Sequence, residues 1–295
     1  MSIVVTGATG HLGRLVVAAL LERGVPAADI VATGRATDKI ADLAEGGVRV
    51  ATTDFDDPAS LRAAYAGADR VLLISGTDIG RRPEQHRNAI EAARDEGVRL
   101  LAYTSIANAD VSRMTLAADH QATEAILRES GVPFALLRNG WYLENYTAQL
   151  PAVLSHGALF GSAGDGKISA AARADYAVAA AVVLTGDGHE GKVYELGGDQ
   201  AFTLADLAQE IASASGQDVE YRDLPVEEYI RVLVQAGLPE GYAVVLADSD
   251  LGIARGELEV TSGDLSRLIG RPTTSPAPGR GQRAACRWRA VEMRT

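Results

Sequence analysis

Short apolar runs alternate with amphipathic segments along the first half of the chain. Each apolar run is short enough for one buried strand, and each amphipathic segment repeats its apolar positions at the period of a helix. The predicted strands are residues 3–6, 30–33, 48–52, 71–75, 100–105 and 134–138. The predicted helices are residues 12–22, 37–44, 58–65, 83–96 and 116–130. Such alternation predicts an α/β fold with a doubly wound parallel sheet, built through right-handed crossovers.

The regular alternation ends after Asn139. The later segments are a loop at 162–169, an alanine-rich helix near 176–184, a strand at 192–196, and helices at 204–213 and 227–236. We expect residues 1–150 to form the sheet domain, to which later segments can return. Residues 151–274 are expected to form a smaller C-terminal α/β lobe over the carboxyl edge of the sheet, where ligands of such folds bind. Residues 275–295, rich in Arg, Pro and Gly, are predicted to be a mobile basic tail.

Composition and charge exclude several classes of protein. The 295 residues are 47% hydrophobic and 23% charged, as in globular chains with a sizeable core. A net charge of -11 argues against a nucleic-acid partner, which requires clustered Lys and Arg. No apolar run reaches about 18 residues and no basic leader precedes the first strand, so we expect a cytoplasmic protein without a membrane span. The single cysteine, Cys286, and five scattered histidines predict no metal site.

A glycine-rich stretch, VTGATGHLG, joins the first predicted strand to the first predicted helix. Its glycines allow a tight turn, a close approach of the backbone to a pyrophosphate, and close packing of helix on strand. The helix N-terminus adds N–H groups and the positive end of its dipole. We therefore predict a Rossmann-type dinucleotide site; the alternative is that the glycines only form a turn. The expected cofactor contacts are Thr6, Gly7, Ala8, Thr9, Gly10, His11, Leu12 and Gly13.

The end of the second predicted strand favours NADPH over NADH. An Asp or Glu there would bind the ribose 2'-hydroxyl of NADH, but the sequence reads IVATGRATDK, with Arg35 in the loop and no acid at the strand end. A guanidinium suits the 2'-phosphate of NADPH. The alternatives are a solvated loop arginine and an Arg35 that pairs with Asp38.

Two further strand ends are expected to contact the cofactor. Asp54 and Phe55 follow the third strand and are expected to bound the adenine. Ser75 and Gly76 follow the fourth strand and are expected to let the middle of the cofactor pass. Asp54 has an alternative role as an acid at the N-terminus of the helix that begins at Pro58.

A common catalytic pair is missing from this chain. Many enzymes with this type of cofactor loop use Tyr-x-x-x-Lys to move a proton to or from a carbinol oxygen, but none of the lysines stands four residues after a tyrosine. Ordinary alcohol dehydrogenase chemistry is therefore not expected. The corresponding helix carries His120 and Glu124 one turn apart, which indicates either an acid–base pair or a surface histidine beside a glutamate.

Five segments together resemble one known family. They are VTGATGHLG, RRPEQHRNAIEAARDEGVRLLAYTSI, ADHQATEAILRESGVPFALLRNGWYLENY, GSAGDGKISAAARADYA and HEGKVYELGGD. Over roughly residues 2–274 the chain resembles the NmrA-like atypical short-chain dehydrogenases, and within them the bacterial NADPH:quinone oxidoreductase type 2 subgroup, whose relatives include triphenylmethane dye reductases. The resemblance implies NADPH as hydride donor and a quinone or similar electron-poor acceptor, such as a dye. It also implies that Gly166 and Lys167 close the site from the C-terminal lobe.

A quinone acceptor fits the missing pair. Quinones are strongly electrophilic, so hydride transfer to them needs orientation more than a tuned general acid. We expect Asn139, Gly140, Trp141 and Tyr142 to line the nicotinamide and acceptor site, with the two aromatic rings as flat apolar walls. Their alternative role is ordinary core between the lobes. Tyr142, His120 and Asn139 are the catalytic candidates, and the last proton could come from Tyr142, His120 or water.

Other functions stay open at this point. A redox sensor that binds NADPH without turnover would also lack the Tyr–Lys pair. An ether or imine reductase would differ only in its acceptor. The sequence leaves the oligomeric state undecided, with a homo-oligomer among the alternatives.

Overall fold

Two parallel sheets organise the chain, of which the computed structural model describes residues 1–276. The strands are β1 (Ile3–Val5), β2 (Ile30–Gly34), β3 (Arg49–Thr52), β4 (Arg70–Leu73), β5 (Leu100–Ile106), β6 (Phe134–Asn139), β7 (Ala158–Gly161), β8 (Lys192–Leu196) and β9 (Glu220–Asp223). Seven of them form a sheet in the order β3-β2-β1-β4-β5-β6-β8, and β7 pairs with β9. The predicted doubly wound α/β sheet with a smaller C-terminal α/β lobe is confirmed.

Helices connect the strands and cover both faces of the large sheet. They are α1 (His11–Glu22), α2 (Ala41–Glu45), α3 (Pro58–Tyr65), α4 (Arg82–Asp95), α5 (Thr115–Glu129), α6 (Glu144–Thr147), α7 (Leu150–His156), α8 (Arg173–Thr185), α9 (Leu204–Ser215), α10 (Val226–Gln235), α11 (Glu240–Ala254) and α12 (Asp264–Ile269). Among residues 1–276, no helix is long and apolar enough to cross a membrane.

Burial of β1 explains its unbroken apolar sequence. This strand lies between β2 and β4, where Ile3 is in register with Ile30 and Arg70. Ile3 and Val5 face the core formed with α1 and α8, whereas Val4 faces the core formed with α3 and α4. Because both faces are covered, the strand has no polar positions.

The strand order reverses between β1 and β4. The loops that follow these two strands leave the sheet in opposite directions and open a cleft at its carboxyl edge. The loops after β1, β2, β3, β4 and β6, which are predicted to contact a cofactor, emerge at this edge, whereas the loop that carries Lys167 follows β7 of the small sheet.

Part of the C-terminal half returns to the large sheet. Strand β8 pairs with β6, so that Tyr194 is in register with Leu137. Helix α8 packs along α1. The rest of this half forms a second core, which includes Leu159 on β7, Phe202, Leu207 on α9 and Ile253 on α11.

The last described segment binds the N-terminal turn of α8. Arg271 donates to the buried Asp175 carboxylate (2.7 Å), and the Thr274 N–H donates to its other oxygen (2.6 Å). The prediction of a mobile basic tail falls on residues 275–295, of which 277–295 lie outside the described residues.

Candidate functional site

The glycine-rich loop between β1 and α1 is a tight turn. Gly7 has a φ of 62°, which L side chains rarely adopt. A Cβ on Gly13 would lie 2.4 Å from the Gly7 carbonyl oxygen and 2.7 Å from the Ala8 Cα, so α1 packs directly on the loop. A Cβ on Gly10 would meet only that carbonyl oxygen, at 3.4 Å. The outer side of the loop is therefore open to a ligand.

The N-terminus of α1 has no cap. No side chain caps Gly10, and the first turn contains no acid. Within residues 1–276, the N–H groups of His11, Leu12 and Gly13 have no hydrogen-bond partner. Free N–H groups at the positive end of a helix dipole form a binding site for an anion such as pyrophosphate.

Three other residues of the loop make contacts within the protein. The Thr6 hydroxyl donates to the Leu72 carbonyl (3.0 Å), which joins β1 to β4. The Ala8 N–H donates to the Thr33 carbonyl (2.9 Å). The Thr9 side chain packs on the backbone at the end of β2. These contacts shape the loop from within.

Arg35 is exposed directly after β2. It forms no hydrogen bond or ion pair within residues 1–276, so the alternative pairing with Asp38 is absent. Nearby Arg14, in contrast, is bound by the Asp42 carboxylate and by the Lys39 carbonyl. Arg35 is thus an uncompensated guanidinium at the edge where the adenosine ribose of a dinucleotide would lie.

Asp54 and Phe55 follow β3. The Asp54 carboxylate accepts the Asp56 N–H (3.0 Å) and so stabilises its own turn. The N-cap of α3 is Asp57, so the alternative role of Asp54 as the helix N-terminal acid is wrong. Phe55 is half-buried and packs edge-on against His86, with ring centroids 5.8 Å apart.

Side chains of β5 and α4 form hydrogen bonds with the backbone of the loop after β4. The Ser75 N–H donates to the Thr104 hydroxyl (2.9 Å), and the Gly76 N–H donates to His86 Nε2 (3.0 Å). Arg82 Nε donates to the Gly76 carbonyl (2.6 Å). Both polar groups of the Gly76 backbone are therefore fixed by side chains of α4.

Two buried histidines next to this loop are neutral. His86 Nε2 accepts a hydrogen bond, so Nδ1 carries the proton and donates to the Thr123 hydroxyl (2.9 Å). His120 Nδ1 lies 2.8 Å from the Tyr103 hydroxyl. Burial, with a contribution from the charge of Arg82, lowers the pKa of each histidine to about 3. His120 is therefore neither a surface residue nor a cationic acid at neutral pH.

Glu124 binds Arg138, not His120. Its carboxylate accepts two hydrogen bonds from the Arg138 guanidinium (2.9 and 2.7 Å) and one from the Ser105 hydroxyl (2.7 Å). Arg138 also donates to Glu195 (2.7 Å). No hydrogen bond joins His120 to Glu124 within residues 1–276, because the carboxylate is bound by Arg138, by Ser105 and, at 3.4 Å, by Arg128. The hypothesis of an acid–base pair does not match this geometry.

The NGWY segment begins at the end of β6. The Gly140 N–H donates to the Leu196 carbonyl (2.7 Å), and a Cβ would lie 2.9 Å from the same oxygen, so only glycine fits. Asn139 is buried, and its Nδ2 donates to the Tyr142 hydroxyl (3.2 Å). Within residues 1–276, Asn139 Oδ1 and Trp141 Nε1 are buried without a hydrogen-bond partner.

Tyr142 packs against the core of the large sheet. Its ring packs edge-on against Tyr176 (centroids 5.2 Å apart), and the Arg173 guanidinium lies 4.8 Å from its centroid. A parallel bridge joins Tyr142 to Ala171, in the segment that precedes α8. Burial raises the pKa of Tyr142, so its hydroxyl is neutral at physiological pH.

The GDGKI loop approaches from the C-terminal lobe. A Cβ on Gly166 would lie 2.4 Å from the Ile253 carbonyl oxygen, so this glycine allows the loop to lie against α11. Lys167 is exposed and forms no hydrogen bond within residues 1–276. Closure of the site by Gly166 and Lys167 stays a prediction.

Several buried residues gave no signal of their own in the sequence. His86, Arg82 and Tyr146 were part of segments used only for the family resemblance. Asp250 on α11 is also buried, and its carboxylate accepts the Ser162 N–H (2.8 Å), although nothing in the local sequence indicates it. Residues 1–276 contain no group of three or more His, Cys, Asp and Glu side chains that could hold a metal ion.

Comparisons with known proteins agree with this geometry. A family model described as NAD(P)H-binding matches residues 7–182, from the glycine-rich loop into α8. Quinone oxidoreductase 2 of Escherichia coli is 50% identical over 275 residues, which are 93% of this chain and 96% of that protein. An NmrA-like family oxidoreductase of Aspergillus flavus is 27% identical over 94% of this chain and 92% of its own. The chain belongs to the NmrA-like NAD(P)H-binding family.

Solved structures of this NmrA-like family have the same fold. The NADPH-dependent quinone oxidoreductase of Escherichia coli, complexed with NADPH, has a TM-score of 0.91 and 47% identity over 99% of both chains. The triphenylmethane reductase of Citrobacter sp., complexed with NADP(H), has a TM-score of 0.87 and 41% identity over 92% of this chain and 96% of that chain.

Proposed function

We propose that this protein is an NADPH-dependent reductase of quinones. The observation that carries the proposal is its 50% identity to a quinone oxidoreductase across nearly the whole length of both proteins. The dinucleotide loop, the unpaired Arg35 and the buried Asn139, whose Oδ1 has no hydrogen-bond partner within residues 1–276, all lie within this one fold. A triphenylmethane dye is a second acceptor class, supported by the similarity to the Citrobacter enzyme.

The described residues fit NADPH. The uncapped N-terminus of α1 would receive the pyrophosphate, and Arg35 would bind the 2'-phosphate. At the other end, the buried Asn139 Oδ1 lacks a donor, and a nicotinamide carboxamide carries N–H groups that would satisfy it. When bound, NADPH supplies the hydride for the reaction.

The residues of the chain would contribute to the reaction by orienting the acceptor next to the cofactor. Tyr142 is fixed by Asn139, Tyr176 and Arg173, and with Trp141 it would present a flat wall to a planar acceptor. Ring carbonyls of a quinone need little activation, so correct placement next to the nicotinamide supplies most of the rate. This accounts for the lack of a Tyr–Lys pair.

A second candidate is a redox sensor that binds NADPH without turnover. The observation that favours it is the same missing pair, together with the burial of the catalytic candidate His120, which lowers the pKa of its imidazole to about 3.

A steady-state assay tests the proposal. NADPH oxidation is followed with and without a simple benzoquinone or naphthoquinone, and the run is repeated with NADH. We expect oxidation that depends on the quinone and is faster with NADPH at low cofactor concentration. Tight NADPH binding with no oxidation across a panel of quinones and dyes would favour the sensor.

A further inference from the structure

A buried histidine on α4 has no assigned role in the reaction. His86 is fully buried, and both nitrogens of its imidazole form hydrogen bonds. Nε2 accepts the Gly76 N–H (3.0 Å), and Nδ1 donates to the Thr123 hydroxyl (2.9 Å). That hydroxyl donates in turn to the Asp119 carbonyl (2.8 Å), so the direction of each hydrogen bond in the chain is fixed. Toward the loop after β4, His86 is therefore a hydrogen-bond acceptor only.

The imidazole keeps its acceptor nitrogen at neutral pH. Burial lowers the pKa of His86 to about 3, and the charge of Arg82 adds to the decrease. A charged imidazolium would donate from both nitrogens and could not bind the Gly76 N–H. Burial thus preserves the hydrogen bond to the loop.

This hydrogen bond sets the orientation of one peptide group. The Ser75–Gly76 peptide is trans, so its C=O and N–H point in opposite directions. Because the Gly76 N–H points toward His86 on α4, the Ser75 carbonyl points away from α4. Within residues 1–276 the Ser75 carbonyl accepts no hydrogen bond, although the Ser75 N–H donates to the Thr104 hydroxyl (2.9 Å). The Ser75 carbonyl is therefore a free acceptor at the carboxyl edge of the sheet.

Helix α4 also binds the loop after β3. Asn88 Nδ2 donates to the Phe55 carbonyl (2.8 Å), and the Phe55 ring packs edge-on against His86 with centroids 5.8 Å apart. A Cβ on Gly76 would lie 3.7 Å from His86 Nε2 and 3.8 Å from Phe55 Cδ2. The two loops therefore meet beside His86.

The loop after β4 borders the cleft where the strand order reverses. A dinucleotide in this cleft carries ribose hydroxyl groups, which can donate to a carbonyl oxygen. A carbonyl that is already oriented before the cofactor arrives avoids the entropy cost of ordering the loop on binding. In the reversed orientation of this peptide, the Ser75 carbonyl would face His86 Nε2, which has no proton to donate.

We propose that His86 is a positioning residue for NADPH, which orients the Ser75–Gly76 peptide so that the Ser75 carbonyl accepts a ribose hydroxyl of the cofactor. The inference rests on the proposed function, in which NADPH occupies this cleft. His86 itself contacts neither the cofactor nor the acceptor and transfers no proton. Its effect is on the affinity for NADPH.

Three substitutions test the positioning role. His86→Phe keeps a ring beside Phe55 but removes the acceptor, so the Gly76 N–H loses its partner and we expect the Kd for NADPH to rise at least about tenfold. His86→Gln carries an amide oxygen that can accept the same N–H, and its Kd should stay within about threefold of the wild type. Tyr103→Phe is the matched control: Tyr103 is also fully buried, its ring centroid is 5.4 Å from that of His86, and its hydroxyl binds His120 (2.8 Å) instead of the loop. It should lower the Tm and change the Kd by less than about twofold.

Two further readouts separate positioning from a purely structural role. Hydrogen exchange of the Gly76 amide, measured without NADPH, should be slow in the wild type and His86→Gln and fast in His86→Phe. At saturating NADPH, kcat of His86→Phe should stay within about threefold of the wild type, because the loss is in binding. A lower Tm with an unchanged Kd in His86→Phe would overturn the positioning role, as would an equal rise in Kd in His86→Gln.

A second variant covers the case in which His86→Phe does not fold. His86→Asn keeps an N–H donor for Thr123 but is too short to reach Gly76, so the same rise in Kd is expected. The failure of the proposed function is separate. Wild-type protein that binds NADPH without reducing quinones would reject the proposed function, and the Kd comparison would still decide the role of His86. Wild-type protein that does not bind NADPH would overturn both.

Discussion

Removal of the Arg35 guanidinium tests how the protein selects NADPH. The change is Arg35→Ala, at a side chain that is exposed and unpaired within residues 1–276, so its loss breaks no internal contact. A hydrogen bond to a charged group contributes about 1.5–3 kcal/mol, and solvent exposure places Arg35 in the lower half of that range. Because about 1.4 kcal/mol is a factor of ten, we expect the Kd for NADPH to rise about 10- to 40-fold.

The assay is equilibrium binding of NADPH and NADH to wild type and variant. The Kd for NADH should change less than about twofold, because NADH has no 2'-phosphate for Arg35 to bind. Arg23→Ala is a matched control: Arg23 is an exposed arginine near the far end of α1 that hydrogen-bonds Thr185 (2.9 Å). Its removal should leave both affinities unchanged. Equal losses of NADPH and NADH affinity in Arg35→Ala would refute the role of this residue in selection.

Three further substitutions test other parts of the account. Gly13→Ala places a methyl group 2.4 Å from the Gly7 carbonyl oxygen, so thermal unfolding should show a loss of about 1–3 kcal/mol, and an unchanged Tm would contradict the packing. Glu124→Gln removes one of the carboxylates that bind the buried Arg138 guanidinium, which keeps Glu195 and Asp110, so it should cost about 1.5–3 kcal/mol in denaturant unfolding; a cost below about 1 kcal/mol would show that the pair is dispensable. Asp250 has a folded-state pKa above its usual value, so its contribution to stability is present at low pH and is lost as the pH rises through about 7. Asp250→Asn should therefore be more stable than the wild type at about pH 8, by up to about 4 kcal/mol, with no such gain at about pH 4.

The periodic part of the fold could be predicted from sequence because the central strands of the large sheet are buried on both faces. The buried apolar runs around β1 and β5 therefore stand out. Strand β9 could not be predicted in this way: its sequence EYRD is polar, its residues are mostly exposed, and only pairing with β7 makes it a strand. Long-range pairing of this kind leaves no local pattern.

The cofactor loop was predictable for a similar reason. Gly7 and Gly13 are required by backbone geometry within a few residues of one another, so their spacing carries the information. His120 was placed on the correct helix but with the wrong partner. Arg138 on β6, 14 residues after Glu124, binds the Glu124 carboxylate. His120 therefore pairs with the Tyr103 hydroxyl instead. The hydrogen-bond partner of a helix side chain depends on which strands pack against that helix, and this is not visible in the local sequence.

The buried Asp250 shows the same limit more strongly. It lies 88 residues from Ser162, whose N–H it accepts, and a carboxylate is ordinarily assumed to face solvent. Its burial depends on the position of α11 next to the end of β7, where the Ser162 N–H binds the carboxylate.

A single-turnover experiment tests the central claim most directly. The complex of the protein with one equivalent of NADPH is mixed rapidly with excess naphthoquinone, and the loss of NADPH absorbance is recorded. The account predicts oxidation of nearly all the bound NADPH in one phase, faster than NADPH dissociates and absent when the quinone is omitted. Bound NADPH that stays reduced in the presence of quinone would contradict the account and show that this protein senses the cofactor without using it.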